Sequence, residues 1–96
     1  MFEISETERF SSWLFGLKDL RAKAKILVRI ARARKGNFGD SEAVGRGVSE
    51  MRIFVGKGYR VYYTKTGKNI VWLLCGGDKS SQQKDIKQAI EIKESI

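Results

Sequence analysis

The stretch EMRIFVGKGYRVYYTKTGKNIVWLLC, residues 50–75, decides the fold. Residues 50–55 and 59–63 are rich in β-forming side chains, and the glycines between them predict a hairpin with a short loop. A second turn is predicted at 66–69. Residues 70–75 are continuously apolar, which indicates a central strand covered on both faces. The segment therefore predicts three strands of a mainly antiparallel sheet.

The sequence before this stretch predicts two helices that form a helical hairpin. Ser5 stands three residues before Glu8, which is capping-box spacing, and a short strand is predicted at 1–4. The second helix is expected over 18–34, where Gly36 follows and ends it. The side chains expected to face the sheet are Phe10, Trp13, Leu14 and Leu17 in the first helix, and Leu20, Ala24, Leu27, Ile30 and Ala31 in the second.

The sequence after this stretch predicts a C-terminal helix. Two glycines at 76 and 77 end the last strand, and Ser80 and Gln83 have the spacing of another capping box. The order of elements predicts a single α+β domain, residues 1–96, with its helices packed against one face of the sheet. The inward side chains of the C-terminal helix are expected to be Ile86, Ala89 and Ile90.

Composition and charge narrow the function classes. The 96 residues include 19 Lys and Arg against 11 Asp and Glu, a formal net charge of +8 concentrated in blocks 18–35 and 52–79. Such blocks are expected for a polyanion partner, nucleic acid or an acidic protein, although a basic surface that only confers solubility also fits. The absence of His and the single Cys75 exclude His-based catalysis, an internal disulfide and a structural zinc site. We expect a cytoplasmic protein with no secretory signal, membrane span, metal or cofactor.

The basic residues of the second helix fall in one stripe. The stripe extends over about 21 Å along a helix, which is too long for one catalytic centre. It suits docking to an RNA backbone or an acidic protein surface, although a solvated amphipathic face fits the same pattern. Its members are Lys18, Arg21, Lys25, Arg29 and Arg32.

The predicted hairpin carries cations beside aromatic side chains. A three-residue loop would pair Arg52 with Tyr62, and would place both on one face with Phe54 and Arg60. A two-residue loop would instead place Arg60 and Tyr62 on the face of Met51, Ile53 and Val55. Guanidinium groups on a rigid strand suit phosphate binding and the rings suit base stacking, although edge charges and packed tyrosines are an equally good structural interpretation.

The turn GGDK at 76–79 ends in another cation. Its backbone N–H groups and Lys79 suit an anion, although ordinary strand-to-helix turn chemistry also explains it. We expect Arg52, Arg60 and Lys79 to converge on a concave surface that no acidic side chain neutralises.

Cys75 is interpreted as a small buried apolar side chain. The carboxylates with no metal-binding spacing are Asp40, Glu42, Glu50 and Asp78.

Motifs along nearly the whole chain resemble a known family. They are FxxWLxxLKD at 10–19, GNxGD at 36–40, VGxGVxExRI at 44–53, GYRVYY at 58–63 and LxGGDK at 74–79. In this order they resemble the addiction-module killer proteins, the phage-derived, HigB-type branch of the RelE/ParE toxin superfamily. The resemblance implies a RelE-like fold, in which an N-terminal helical hairpin and a C-terminal helix pack on a twisted antiparallel sheet.

The resemblance implies an activity and partners. RelE and HigB proteins are bacterial or phage-derived cytoplasmic toxins that cut mRNA in the ribosomal A site without a metal, and each is encoded beside a helix-turn-helix antitoxin. We therefore expect a ribosome-dependent endoribonuclease whose partners are a cognate antitoxin and mRNA on the ribosome. ParE proteins share the fold but inhibit gyrase, so a non-enzymatic toxin or an inactive antitoxin-binding relative is the alternative. The antitoxin is expected to cover the sheet face or displace the C-terminal helix, or else to bind the helical hairpin.

The resemblance also implies catalytic residues. Arg60, in the matched GYR, resembles the arginine that contacts the scissile phosphate in RelE, and Lys79 lies where RelE has a second essential arginine. Arg52 lies near the RelE lysines of the preceding strand. The C-terminal tyrosine of RelE has no counterpart, because Asp85 stands at that place.

Proton transfer is then left to Tyr62 or Lys84. The residues expected to bind RNA are Lys18, Arg21, Lys25, Arg29, Arg32, Lys57 and Lys84.

Overall fold

Five strands and three helices form in the computed structural model, which describes all 96 residues. The sheet order is β1-β5-β4-β3-β2, in which β1 runs parallel to β5 and all other neighbours are antiparallel. The chain is α+β, as expected, but β2 was not predicted and β1 begins two residues later than the predicted 1–4. The elements are β1 (Glu3–Glu6), α1 (Glu8–Gly16), α2 (Leu20–Arg34), β2 (Ser41–Gly45), β3 (Val48–Ile53), β4 (Tyr59–Thr66), β5 (Ile70–Asp78), a 3₁₀ turn (Lys79–Ser81) and α3 (Gln82–Ser95).

The helices lie on both faces of the sheet, so the prediction of a single covered face is wrong. On one face, α1 and α2 pack against alternate side chains of the central strands, such as Met51, Val61 and Leu73. On the other face, α3 packs on a smaller cluster that includes Tyr62, Leu74 and Cys75. Since side chains alternate along a strand, the apolar strand β5 supplies both clusters, which confirms that it is central and covered on both sides.

The β3–β4 hairpin has a different register from either predicted alternative. Arg52 lies opposite Arg60, and Tyr62 lies opposite Glu50 instead of Arg52. The loop, residues 54–58, is longer than expected, and within it Gly56 and Gly58 adopt φ values of 54° and 77°, which are conformations that favour glycine. Phe54 belongs to this loop and not to a strand. Arg52, Arg60 and Tyr62 nevertheless share one face of the sheet, the face covered by α3.

The helices begin at residues other than those predicted. The N-cap of α1 is Thr7, whose hydroxyl accepts a hydrogen bond from the Phe10 backbone N–H at 3.0 Å, so the proposed Ser5–Glu8 box is wrong. The Ser80–Gln83 box is also wrong, because α3 begins at Gln82 with no side-chain cap. Along α3, Ala89 is buried with Ile86 and Ile90 beside it, which confirms the predicted inward face. None of the helices has the length and apolar character needed to cross a membrane.

The buried face of α2 is not the predicted one. Of the predicted inward residues only Ile30 is buried, and the others are exposed. The buried residues of α2 are Ala22, Ile26, Ile30 and Ala33. The buried residues also repeat at helical spacing, so periodicity alone gives two candidate faces. One hydrogen bond distant in sequence is specific to the observed orientation, because Arg29 turns toward β3 and donates to the Arg52 carbonyl. The Asp19 carboxylate, which accepts from the Ala22 N–H at 3.0 Å, caps the start of the helix.

Candidate nucleic-acid interface

A concave surface of about 270 Å³ lies where the β3–β4 loop meets the end of β5. We call it the basic pocket, because its charged lining consists of Arg52, Lys57, Arg60 and Lys79, with no carboxylate in the lining. Three of the four predicted catalytic residues and one predicted RNA-binding residue therefore lie together. Phe54, on the rim, has 75% of its surface exposed. The pocket thus combines fixed positive charge with an exposed aromatic ring.

The sheet places the four cations. Arg52 and Arg60 face each other across β3 and β4. Lys79 begins the 3₁₀ turn directly after β5, and the first carbons of its side chain pack over Gly58. Lys57 extends from the loop between the two glycines. Two segments distant in sequence, the β3–β4 hairpin and the turn after β5, therefore contribute to one site.

The two arginines of the basic pocket differ in how much of their hydrogen-bonding capacity is free. Arg52 donates to Asp40 at 2.8 Å and 3.2 Å and to Glu42 at 2.8 Å. These hydrogen bonds, first to Asp40 and then to Glu42, raise the pKa of Arg52. Arg60 has one ionic contact, from its Nε to the Glu50 carboxylate at 3.4 Å. Its terminal amino groups make no hydrogen bond within the chain, so Arg60 is the arginine whose donors are free for an anion.

Acidic side chains therefore do stand beside these cations, and the expectation that none neutralises them is wrong. Glu50 is the most buried of them at 2% exposure, and it lies 3.8 Å from Arg52 as well as contacting Arg60. The amide of Gln82, at the start of α3, donates to the same carboxylate at 3.2 Å. A buried carboxylate needs such partners, so Glu50 holds the two guanidinium groups in place.

No functional role was predicted for Glu50 from the sequence. The available signal was its position, because a Glu in a strand two residues after Val48 and two before Arg52 shares their face.

Tyr62 lies outside the basic pocket. It is fully buried between β4 and α3, and its hydroxyl has no hydrogen-bond partner. Burial, followed by the negative charge of Glu50, raises the pKa of this phenol. Lys84 is exposed on α3 and does not line the pocket either. Neither candidate for proton transfer is therefore at the site.

The basic stripe of α2 separates into two groups. Lys18, Arg21, Lys25 and Arg32 are exposed. Arg29 is half-buried, and it donates to the carbonyls of Arg52 at 2.5 Å and Phe38 at 2.9 Å. Burial lowers the pKa of Arg29, although Asp40 opposes this shift. Arg29 thus links α2 to the sheet. The four exposed residues form a basic patch on the surface of the protein.

The acidic residues near the basic pocket do not form a metal site. Asp40, Glu42 and Glu50 direct their oxygens at Arg52. No group of three His, Cys, Asp or Glu side chains in the chain is arranged to hold a metal ion. The basic pocket therefore provides fixed cations, which bind anions and stabilise negative charge.

Comparison with known proteins gives one relative at high identity. No family model matches the chain. A Haemophilus influenzae protein described as an uncharacterized protein is 58% identical to it over 87 residues, which cover 91% of this chain and 88% of the relative. Identity at this level over nearly the full length of both proteins means that the chain belongs to the family of this H. influenzae protein.

Proposed function

We propose that the chain is the toxin of a type II toxin–antitoxin pair, of the RelE/HigB type, and that it cleaves mRNA on the ribosome without a metal. The observation that carries this proposal is the basic pocket, where four cations converge beside an exposed aromatic ring and no carboxylate lines the surface. An RNA phosphate flanked by a stacked base has the complementary chemistry. The motif resemblance supports the same activity independently of the pocket.

In this proposal Arg60 binds the scissile phosphate. Its two free terminal amino groups match two phosphate oxygens, because a guanidinium donates in a planar fork. The RNA 2′-oxygen attacks phosphorus and releases its proton to solvent water, the bond to the 5′-oxygen breaks, and that oxygen takes a proton from a lysine of the pocket, which solvent then reprotonates. The products are a 2′,3′-cyclic phosphate and a 5′-hydroxyl. Arg60 stabilises the extra negative charge of the intermediate.

The remaining pocket cations have subsidiary roles in this proposal. With Tyr62 buried and Lys84 outside the pocket, the flexible proton-bearing groups at the site are Lys57 and Lys79, and we assign the leaving-group proton to one of them. Arg52 acts structurally, because Asp40 and Glu42 already accept hydrogen bonds from three of its five N–H donors.

The proposed partners follow from the surface charge. The exposed cations of α2 suit the phosphate backbone of ribosomal RNA, with counterion release contributing to affinity. The motif resemblance, and not the charge, adds a cognate helix-turn-helix antitoxin and a cytoplasmic location to the proposal.

Replacement of Arg60 tests the proposal. We expect Arg60→Ala to lower mRNA cleavage by about 10²–10³-fold, because a donor that stabilises developing charge is removed. Cleavage is measured by primer extension on mRNA after induction, together with growth arrest. The matched control is Arg46→Ala, because Arg46 is an exposed arginine paired with Glu94 at 3.1 Å, away from the pocket. Undiminished cleavage by a folded Arg60→Ala protein would refute the assignment.

A second candidate, a non-enzymatic toxin that inhibits gyrase, is favoured by one observation. The phenol that would serve as proton donor, Tyr62, is inaccessible. A gyrase supercoiling assay run in parallel separates the two. Inhibition of supercoiling with intact mRNA would support the second candidate and exclude the first.

A further inference from the structure

The outward face of α2 carries an exposed apolar stripe. Three large side chains, Leu20, Leu27 and Val28, are 72%, 50% and 49% exposed. Ala24 and Ala31 complete the stripe, so apolar residues recur at i, i+4, i+7, i+8 and i+11. The stripe is about 16 Å long, or three helical turns. A contiguous apolar surface of this kind on a small protein marks an interaction site more often than a single exposed leucine does.

Positive charge borders this apolar stripe on both sides. From Leu20 to Arg34, α2 contains six Lys and Arg and no acidic residue. At 100° per residue, Arg21, Lys25 and Arg32 fall along one side of the stripe, and Lys23 and Arg34 fall along the other. The surface is therefore apolar along its centre and cationic along both margins.

A groove adjoins the stripe. About 350 Å³ of space lies between α2 and the end of β3, with Val28, Ile53 and Phe54 as its apolar lining. Its cations are Lys25, Arg29, Arg32 and Arg52, against the single carboxylate of Asp40. The groove has room for a bulky apolar side chain from a partner that lies along the stripe.

We propose that this face of α2 docks an acidic amphipathic helix of another protein. Such a helix buries its apolar side on the stripe, inserts one large side chain in the groove, and places Glu or Asp against both cationic margins. The charge pattern disfavours a second copy of this chain, because two α2 helices would bring like charges together. RNA has no apolar side chains with which to cover Leu20 and Leu27. An anionic membrane is flat, and it favours aromatic residues over the alanines found here.

Docking on α2 would also restrict the basic pocket. Arg52, Ile53 and Phe54 line both the groove and the basic pocket. A helix seated in the groove would therefore cover one wall of the basic pocket and exclude ribosomal RNA from the α2 cations. This consequence rests on the proposed function, whereas the docking itself does not.

A peptide-binding experiment on the full chain tests the docking. The probe is a fluorescein-labelled helical peptide with Leu and Phe on one face and Glu along both margins. A scrambled peptide of the same composition, which has no apolar face, is the control ligand. Leu20→Ser/Leu27→Ser is the test variant, and Ile96→Ser is the control variant, because Ile96 is 55% exposed, close to the 50% of Leu27, and lies at the end of α3, outside the stripe. Circular dichroism verifies that both variants are folded.

We expect the amphipathic peptide to bind at least about tenfold more tightly than the scrambled one, since only the former buries apolar surface. We expect the double variant to lose about tenfold in affinity, the Ile96→Ser variant to bind normally, and added salt to weaken binding. Equal binding of both peptides, or no effect of the double variant, would overturn the proposal. Stripe-dependent binding to phosphatidylglycerol vesicles without peptide binding would overturn it in favour of a membrane. A chain that still cleaves mRNA but binds no peptide would retain the proposed function and lose only this inference.

Discussion

Substitution of Gly76 by alanine should destabilise the protein through one aromatic ring. A Cβ at this position would lie within 2.6 Å of three atoms of the Trp13 indole. Carbon atoms pack at about 3.5–4.0 Å, so the ring must retreat by about 1 Å. It cannot do so freely, because Trp13 packs against Phe10 and Tyr59 at centroid distances of 5.8 Å and 6.4 Å. Overpacking of this kind costs about 2 kcal/mol.

Urea unfolding followed by circular dichroism measures this cost. For a domain of this size, 2 kcal/mol also corresponds to a fall in Tm of about 8–16 °C. The matched control is Gly16→Ala at the end of α1, where a Cβ meets nothing within 4 Å. Gly16→Ala should stabilise the protein by about 0.5 kcal/mol, because alanine restricts the unfolded chain. In a Trp13→Leu background, Gly76→Ala should cost much less. A Gly76→Ala protein as stable as the wild type would refute the close packing of Trp13 on β5.

Two further predictions concern polar groups. Tyr62→Phe should stabilise the fold by about 1 kcal/mol, because the buried hydroxyl has no hydrogen-bond partner, and it should leave mRNA cleavage unchanged. A lower stability in urea unfolding, or a loss of cleavage, would contradict this prediction. Hydrogen bonds from Ser80 lower the pKa of Asp78, so their stabilising effect is present above about pH 4 and is lost as the pH falls through the lowered pKa. NMR titration should show Ser80→Ala raising the pKa of Asp78, and an unchanged value would exclude this cause.

The second helix shows which features the apolar periodicity of a sequence can predict and which it cannot. The predicted span, 18–34, begins two residues before the observed helix and ends at the same residue. Helix-forming residues run unbroken up to Gly36, which is why the span could be predicted. Its buried face was not predicted, since apolar residues occur on two sides of the helix. The orientation depends on contacts distant in sequence, above all that of Arg29 with the Arg52 carbonyl. The apolar side that the pattern assigned to the core is the exposed stripe.

The cations of the candidate site could be predicted from the sequence, but the acidic residues beside them could not. Arg52 and Arg60 follow from the hairpin, and Lys79 follows from the end of β5, so their proximity could be expected from strand order. Asp40 and Glu42 could not be placed, because β2 was not predicted. Its sequence, SEAVG, has one β-branched residue and one glycine, which gives little strand signal.

The unpredicted strand explains how two arginines can face each other at the site. Like charges directly opposite on adjacent strands destabilise a sheet, and Arg52 and Arg60 are such a pair. Asp40, just before β2, and Glu42, within it, contact Arg52, and β3 itself supplies Glu50 between the two guanidinium groups. Because carboxylates outside the pocket engage three of the five N–H donors of Arg52, its charge is compensated locally, and Arg60 keeps its terminal donors. The acidic residues of the β2 edge are therefore a structural condition for an anion site at Arg60, even though none of them lines the basic pocket.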